Sequence, residues 1–153
     1  MDFLSMFSLK GKTAVVTGGA GVLGSSIATS LGKAGAKILI ADIKNAEETA
    51  GNLAKEGIAA KGYFINVLDK TEIDKCAATI LKEHKTVDIL VNCAGGNMQS
   101  ATTSPELSFF DLPLDALEKV ISLNLFGGAI LPSQVFGKAM VANPEGGSII
   151  NIS

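Results

Sequence analysis

The sequence predicts an α/β fold in which a parallel sheet is wound on both faces by helices, and three observations carry that prediction. Short aliphatic runs alternate with stretches of helical periodicity along most of the 153 residues. The runs are built from Val, Ile, Leu and Ala, as in strands buried on both faces. A glycine cluster closes the first run and opens the first helical stretch.

Taken in order, Lys12–Thr17 (KTAVVT) predicts the first strand. Val22 to Gly35 follows as a helix with Val22, Leu23, Ile27 and Leu31 at helical spacing, and Gly35 is placed to end it. Lys37–Ala41 predicts the second strand, and Asn45–Glu56 a polar-faced helix stopped by Gly57. Ala60–Val67 predicts the third strand. Lys70–Glu83 predicts a helix with Ile73, Ala77, Ile80 and Leu81 inward, and Val87–Asn92 the fourth strand. The connection from Cys93 to about Leu112 has little periodicity. A long helical stretch from Leu114 to Val141 is expected to be interrupted at Gly127-Gly128 and bent at Pro132. Gly147–Ser153 predicts a fifth strand. The expected organisation is a leader over residues 1–11 and one dinucleotide-binding domain over residues 12–153, a Rossmann-type doubly wound parallel sheet truncated after the fifth strand.

Composition narrows the function classes. Hydrophobic residues make up 47% and charged residues 18%, a balance suited to a packed chain rather than a disordered one. Thirteen basic residues against fifteen acidic ones leave a net charge of −2 and no basic stripe, so nucleic acid is not an expected partner. Cys76 and Cys93 do not make a disulfide framework and are expected as reduced thiols. One histidine with two distant cysteines makes no metal site, and none is expected. Met1–Leu9 is apolar but short and lacks a basic flank, which argues against a secretory signal. No apolar run approaches the roughly 20 residues that span a bilayer, so no membrane association and a cytoplasmic location are expected.

The strongest local signal is Thr17-Gly18-Gly19-Ala20-Gly21-Val22-Leu23-Gly24, whose last six residues fit G-x-G-x-x-G as Gly19, Gly21 and Gly24. Glycines permit the tight turn, admit a pyrophosphate to the backbone and let the helix pack closely on the strand. The following helix offers unpaired N–H groups and the positive end of its dipole to phosphates. Gly-rich turns also arise for structural reasons alone, but this one follows a predicted strand and opens a predicted helix. Gly18, Gly19, Gly21, Val22, Leu23 and Gly24 are therefore expected at a dinucleotide. Asp42 ends the second strand, where a carboxylate can accept hydrogen bonds from the ribose hydroxyls and repel a 2′-phosphate. Asp42 and its neighbour Ile43 are taken as cofactor-binding, with NAD favoured over NADP; the competing role for Asp42 is a turn or helix cap.

Four motifs in order resemble the short-chain dehydrogenase/reductase family, from about Leu9 to the last residue. Thr17–Gly24 is similar to the family's T-G-x-x-x-[AG]-x-G, with Val22 where Gly or Ala is usual. Asn66-Val67 stands where the family often has Asp-Val against adenine. Asn92-Cys93-Ala94-Gly95 is similar to N-N-A-G, a segment that holds the sheet and lies beside the cofactor ribose, with Cys93 as a buried structural thiol. Asn124 matches the asparagine that helps hold an ordered water in the family's proton relay. The resemblance thus implies that Asn66, Val67, Asn92, Ala94 and Gly95 bind cofactor and that Asn124 is catalytic. The stretches CAGGNMQSATTSPELSFFDLP and LNLFGGAILPSQVFGKAM resemble the subgroup acting on sugar acids, such as D-mannonate (fructuronate) oxidoreductases, with gluconate-type 5-dehydrogenases as competitors.

The resemblance also implies a tyrosine with a lysine four residues later, and a serine just after the fifth strand. The one tyrosine is Tyr63 and the residue four later is Val67, so Tyr63 does not fit; the serine position falls just beyond Ser153. The chain is accordingly expected to be poorly stable and nearly inactive alone. The complete enzyme is expected to be a homo-oligomer acting on a small-molecule substrate. Two function classes follow: a fragment of an NAD-dependent dehydrogenase, or a non-catalytic module that binds NAD or a partner. His84 reads as a solvated helix end. Met98 and Phe109-Phe110 either cover a substrate pocket or pack under a loop.

Overall fold

The computed structural model describes residues 3–152. Five strands form one parallel sheet: β1 (Thr13–Thr17), β2 (Lys37–Asp42), β3 (Ala60–Phe64), β4 (Ile89–Asn92) and β5 (Ser148–Asn151). They lie in the order β3-β2-β1-β4-β5. The helices are α1 (Val22–Lys33), α2 (Ala46–Lys55), α3 (Lys70–His84), α4 (Leu114–Ile121) and α5 (Leu131–Met140), with a π-helical segment, Ser122–Ile130, joining the last two.

Strand alternation divides the core into two layers, because successive side chains leave a strand on opposite faces. Val15, Leu39 and Leu90 point to one face and pack with Ile73, Ala77 and Ile80 of α3 and Phe136 and Met140 of α5. Ala14, Val16, Ile38, Ile40, Ile89 and Val91 point to the other and meet Ala28 of α1 and Ala50 and Leu53 of α2. β1 sits at the centre, its Val15 beside both Leu39 and Leu90, and all five of its residues are buried. Both faces are covered over β1, β2 and β4, as the near-continuous aliphatic runs require, whereas β5 is exposed along its length.

Strand order reverses between β1 and β4, which opens a crevice at their C-terminal ends. Gly35 and Gly57 follow α1 and α2 with positive φ and end them as expected. Asp69 caps α3, its carboxylate accepting from the N–H groups of Thr71 and Glu72.

Several expectations need correction. β3 ends at Phe64, so Asn66 and Val67 lie in the turn beyond it; Asn66 Oδ1 accepts the Leu68 N–H at 3.1 Å, a side-chain turn that competes with the ladder. Val22 is 91% exposed and Leu23 53%, because the first turn of α1 stands clear of the sheet; Gly24 and Ala28 are the buried positions. Gly127-Gly128 do not interrupt the long helix, which continues through them with π-type bonding. Pro132 is the second residue of α5, which runs on from the π-helical segment, and it is buried. The run Leu114–Met140 is 27 residues and apolar enough, by length and composition alone, to cross a membrane, contrary to the expectation that no segment approaches that length. It carries Asp115, Glu118, Lys119 and Lys138 and buries Ala116, Phe136 and Met140 against the protein.

Candidate functional site

A cavity of about 460 Å³ lies at the C-terminal ends of the central strands. Its wall is contributed by Gly18, Gly21, Val22, Leu23 and Gly24 after β1, by Asp42 and Ile43 after β2, and by Ile65–Leu68 after β3. Cys93, Ala94 and Gly95 after β4, with Leu123, complete it.

The glycines are there for close approach. Gly18 has φ +63°, and a Cβ on it would lie 2.7 Å from the backbone of Ala94. A Cβ on Gly24 would fall inside the contact distance of the Gly18 carbonyl oxygen, so any larger residue would push α1 off the loop. Helix α1 follows Gly21, its N-cap, without a side-chain cap and has no acidic residue in its first turn. Its first N–H groups therefore face the cavity with their dipole, an arrangement suited to an anion.

Asp42 connects two parts of this wall. Its Oδ2 accepts the Ala20 N–H at 3.0 Å and its Oδ1 accepts the Lys44 N–H at 3.1 Å. An ionised carboxylate has further lone pairs, and these remain available to hydroxyl donors in the cavity. Ile43, Ile65, Val67 and Leu68 make the flank beside it apolar, as a flat heterocycle would need. On the other side Thr17, fully buried, accepts the N–H groups of Cys93 and Ala94 through Oγ1 at 3.2 and 3.3 Å. That fixes the turn leaving β4.

Asn124 sits in the π-helical segment and grips Gly96 by both backbone groups. Oδ1 accepts the Gly96 N–H at 2.8 Å and Nδ2 donates to the Gly96 carbonyl at 3.0 Å. A Cβ on Gly95 would lie 2.6 Å from Asn124 Oδ1, so that glycine is needed for the grip to form.

Two expected cofactor residues do not reach the wall. Gly19 is buried beneath the loop, where a Cβ would lie 2.8 Å from the Val16 carbonyl. Asn92 is 1% exposed, and its Nδ2 lies 2.8 Å from both Ser133 Oγ and Asn151 Oδ1, so it ties β4 to α5 and β5. Conversely Ile65, Leu68, Cys93 and Leu123 line the cavity, although none of them is expected from the sequence to bind cofactor. Cys93, expected as a buried structural thiol, is only half-buried in the cavity wall, and that partial burial raises its thiol pKa. Leu123 had a signal in its position immediately before Asn124.

Tyr63 is buried and does not line the cavity. Its hydroxyl lies 2.5 Å from Glu83 Oε2 and 2.7 Å from His84 Nε2, and burial raises its pKa strongly. His84 is thus not a solvated helix end: its side chain is 12% exposed, packed edge-on against the Tyr63 ring. Phe109 and Phe110 form an exposed edge-to-face pair that neither lines the cavity nor packs under a loop. Among the described residues no three His, Cys, Asp or Glu side chains gather as metal ligands. Ser153 lies outside the described residues.

The geometry of a glycine loop, an uncapped helix and a carboxylate around one crevice is matched by sequence comparison: a model of short chain dehydrogenases fits residues 12–153. The chain belongs to the short chain dehydrogenase family. Within that family it is 36% identical to an uncharacterized oxidoreductase of Haemophilus influenzae, over 100% of this chain and 57% of the relative. It is 37% identical to the 5-keto-D-gluconate 5-reductase of Escherichia coli, over 96% of this chain and 55% of that one. A crystal structure from Haemophilus influenza with bound NAD, provisionally assigned as a D-mannonate oxidoreductase, superposes with a TM-score of 0.87 at 35% identity. That match covers 99% of this chain and 58% of the other. This short chain dehydrogenase sequence therefore spans a little over half the length of the curated relatives it matches.

Proposed function

We propose that this chain is the cofactor-binding part of an NAD-dependent dehydrogenase or reductase acting on a sugar acid or a similar hydroxy or keto compound. The observation that carries the reading is the placement of Asp42 beside the glycine loop in one cavity, with an apolar flank on its far side. The first turn of α1 (Val22, Leu23, Gly24) and Gly21 would hold the pyrophosphate, and Asp42 the adenosine ribose. Ile43, Asn66 and Val67 would bound the adenine, and Ala94 and Gly95 the second ribose. NAD, when bound, supplies the hydride acceptor or donor. The carboxylate of Asp42 disfavours a 2′-phosphate, which supports NAD over NADP.

Asn124 is the residue of this chain assigned to the reaction centre, reaching from the π-helical segment to Gly96 in the turn after β4. Tyr63 does not fit as proton donor there, because its hydroxyl is held by Glu83 and His84, it does not line the cavity, and Val67 stands four residues on. Among residues 1–153 no tyrosine is followed four residues later by a lysine. The sugar-acid class rests on the relatives' own activities. The same reading makes the full-length protein a cytoplasmic homo-oligomer with a small-molecule substrate.

Calorimetric titration of the chain with NAD⁺ and NADP⁺ tests this. Saturable NAD⁺ binding, tighter than NADP⁺, is expected; a folded chain that binds neither overturns the proposal. Turnover of D-mannonate and 5-keto-D-gluconate by a longer protein carrying this chain tests the substrate class.

A further inference from the structure

Gly127 and Gly128 lie in the middle of a helical run, where glycine costs about 1 kcal/mol relative to alanine. Their surroundings account for that cost. A Cβ on Gly127 would lie 2.8 Å from the Val67 carbonyl oxygen, and one on Gly128 would lie 2.6 Å from the Ala94 carbonyl oxygen and 2.9 Å from that of Leu123. Val67 and Ala94 are wall residues of the cavity on opposite sides of the glycine loop, one following β3 and the other following β4. One turn earlier, Asn124 grips the backbone of Gly96. The helix changes to π-type bonding over these residues, Ser122–Ile130, a wider winding often found at functional sites.

From these contacts we infer that Gly127 and Gly128 are positioning residues for the cofactor, seating the π-helical segment against the two halves of the dinucleotide site separately. This rests on the NAD reading above. A dinucleotide lying across the strand ends places its adenosine half over β2 and β3 and its second nucleoside over β4. Gly127 therefore sets the adenosine wall through Val67. Gly128 sets the opposite wall through Ala94, and the Asn124 grip fixes Gly96, the residue that follows the wall residue Gly95. Neither glycine touches the ligand; each acts through a carbonyl that only a missing side chain lets the helix reach.

The two halves can be read apart with AMP, which fills the adenosine half alone, and NAD⁺, which fills both. Gly127→Ala is expected to weaken AMP and NAD⁺ alike, by about tenfold. Gly128→Ala is expected to weaken NAD⁺ by a similar factor and leave AMP within about twofold. Asn124→Ala, which removes atoms from an exposed side chain and does not overpack the helix, should reproduce the Gly128→Ala pattern if that variant fails to fold. Gly137→Ala, whose Cβ would meet Ile149 Cδ1 at an ordinary 3.5 Å, is the control that changes neither ligand. Equal loss of both ligands in Gly128→Ala and Asn124→Ala would mean general destabilisation and overturn the inference. So would NAD⁺ affinity unchanged in both alanine variants of the glycines. A wild-type chain that binds neither ligand overturns the NAD reading itself, and this inference with it.

Discussion

Asp42 Oδ2 accepts the backbone N–H of Ala20 at 3.0 Å, so the carboxylate placed to receive a ribose also pins the glycine loop to the end of β2. Its other oxygen holds the Lys44 N–H at the start of the next turn. Ligand recognition and loop geometry therefore share one side chain. Asp42→Ala is expected to weaken NAD⁺ by about 10- to 100-fold, the scale of losing charged hydrogen bonds. Calorimetry should show NADP⁺ affected much less, because the repulsion of its 2′-phosphate disappears together with the hydrogen bonds. Equal loss of both ligands would mean that loop pinning is the whole of its role.

Gly24→Ala places a methyl group against the Gly18 carbonyl oxygen, and neither backbone can retreat without disturbing the loop. Urea unfolding should show a loss of about 1–3 kcal/mol, the range for overpacking. NAD⁺ affinity should fall in the same variant, measured under conditions where it is still folded.

Two glycines near each other in sequence should respond in opposite directions. Gly51 is exposed within α2 and a Cβ there meets nothing within 4 Å, so Gly51→Ala should stabilise the chain by about 0.5–1 kcal/mol through helix propensity. Gly62 in β3 lies under the start of α2, and its Cβ would collide with the backbone of Ala46 and Glu47. Gly62→Ala should destabilise by about 1–3 kcal/mol. Thermal melts of both variants at one pH check the signs.

His84 should make the fold acid-sensitive. Burial, followed by the charge of Lys37, holds its pKa below the ordinary 6.5; Glu83 opposes this and Lys61 adds to it. A depressed histidine binds fewer protons folded than unfolded near and below pH 6.5, so stability rises with pH in that window. The contribution is present above 6.5 and is lost as pH falls through the lower folded value. His84→Gln should flatten the slope of stability between about pH 7 and pH 5. An unchanged slope would assign the acid sensitivity to other groups. Glu83, held low by Lys61 and Tyr63, contributes stability that is present through the pH 7 to pH 5 window and is lost only below the ordinary carboxylate range.

The two thiols should differ in reactivity. Burial pushes Cys76 up to about 12, with Glu72 adding to the effect, and the residue is enclosed by α3 and the sheet. Cys93 is half-buried in the cavity wall. Alkylation followed by mass spectrometry should label Cys93 first and Cys76 only on unfolding, with NAD⁺ slowing the label on Cys93. Protection of Cys76 but not Cys93 would place the dinucleotide elsewhere.

Much of this was legible in the residues. The aliphatic runs and period-3.6 patterns located the five strands and α1, α2 and α3 to within a few residues, because hydrophobic runs buried on both faces and glycine stops are local signals. The glycine loop and Asp42 could be placed on one site because a strand, a turn and a strand end leave them few other arrangements. What only the tertiary structure decided depends on contacts between segments far apart in the chain. Asn92 reads as a cofactor ligand in its motif, yet it faces Ser133 and Asn151, more than forty positions away. His84 reads as a solvent-facing helix end until β3 brings Tyr63 against it. Gly127 and Gly128 read as a break in a helix until Val67 and Ala94 are seen to occupy the space their side chains would have filled. Periodicity reports which face a residue takes within its own element; which atoms stand opposite that face is set only when the elements pack.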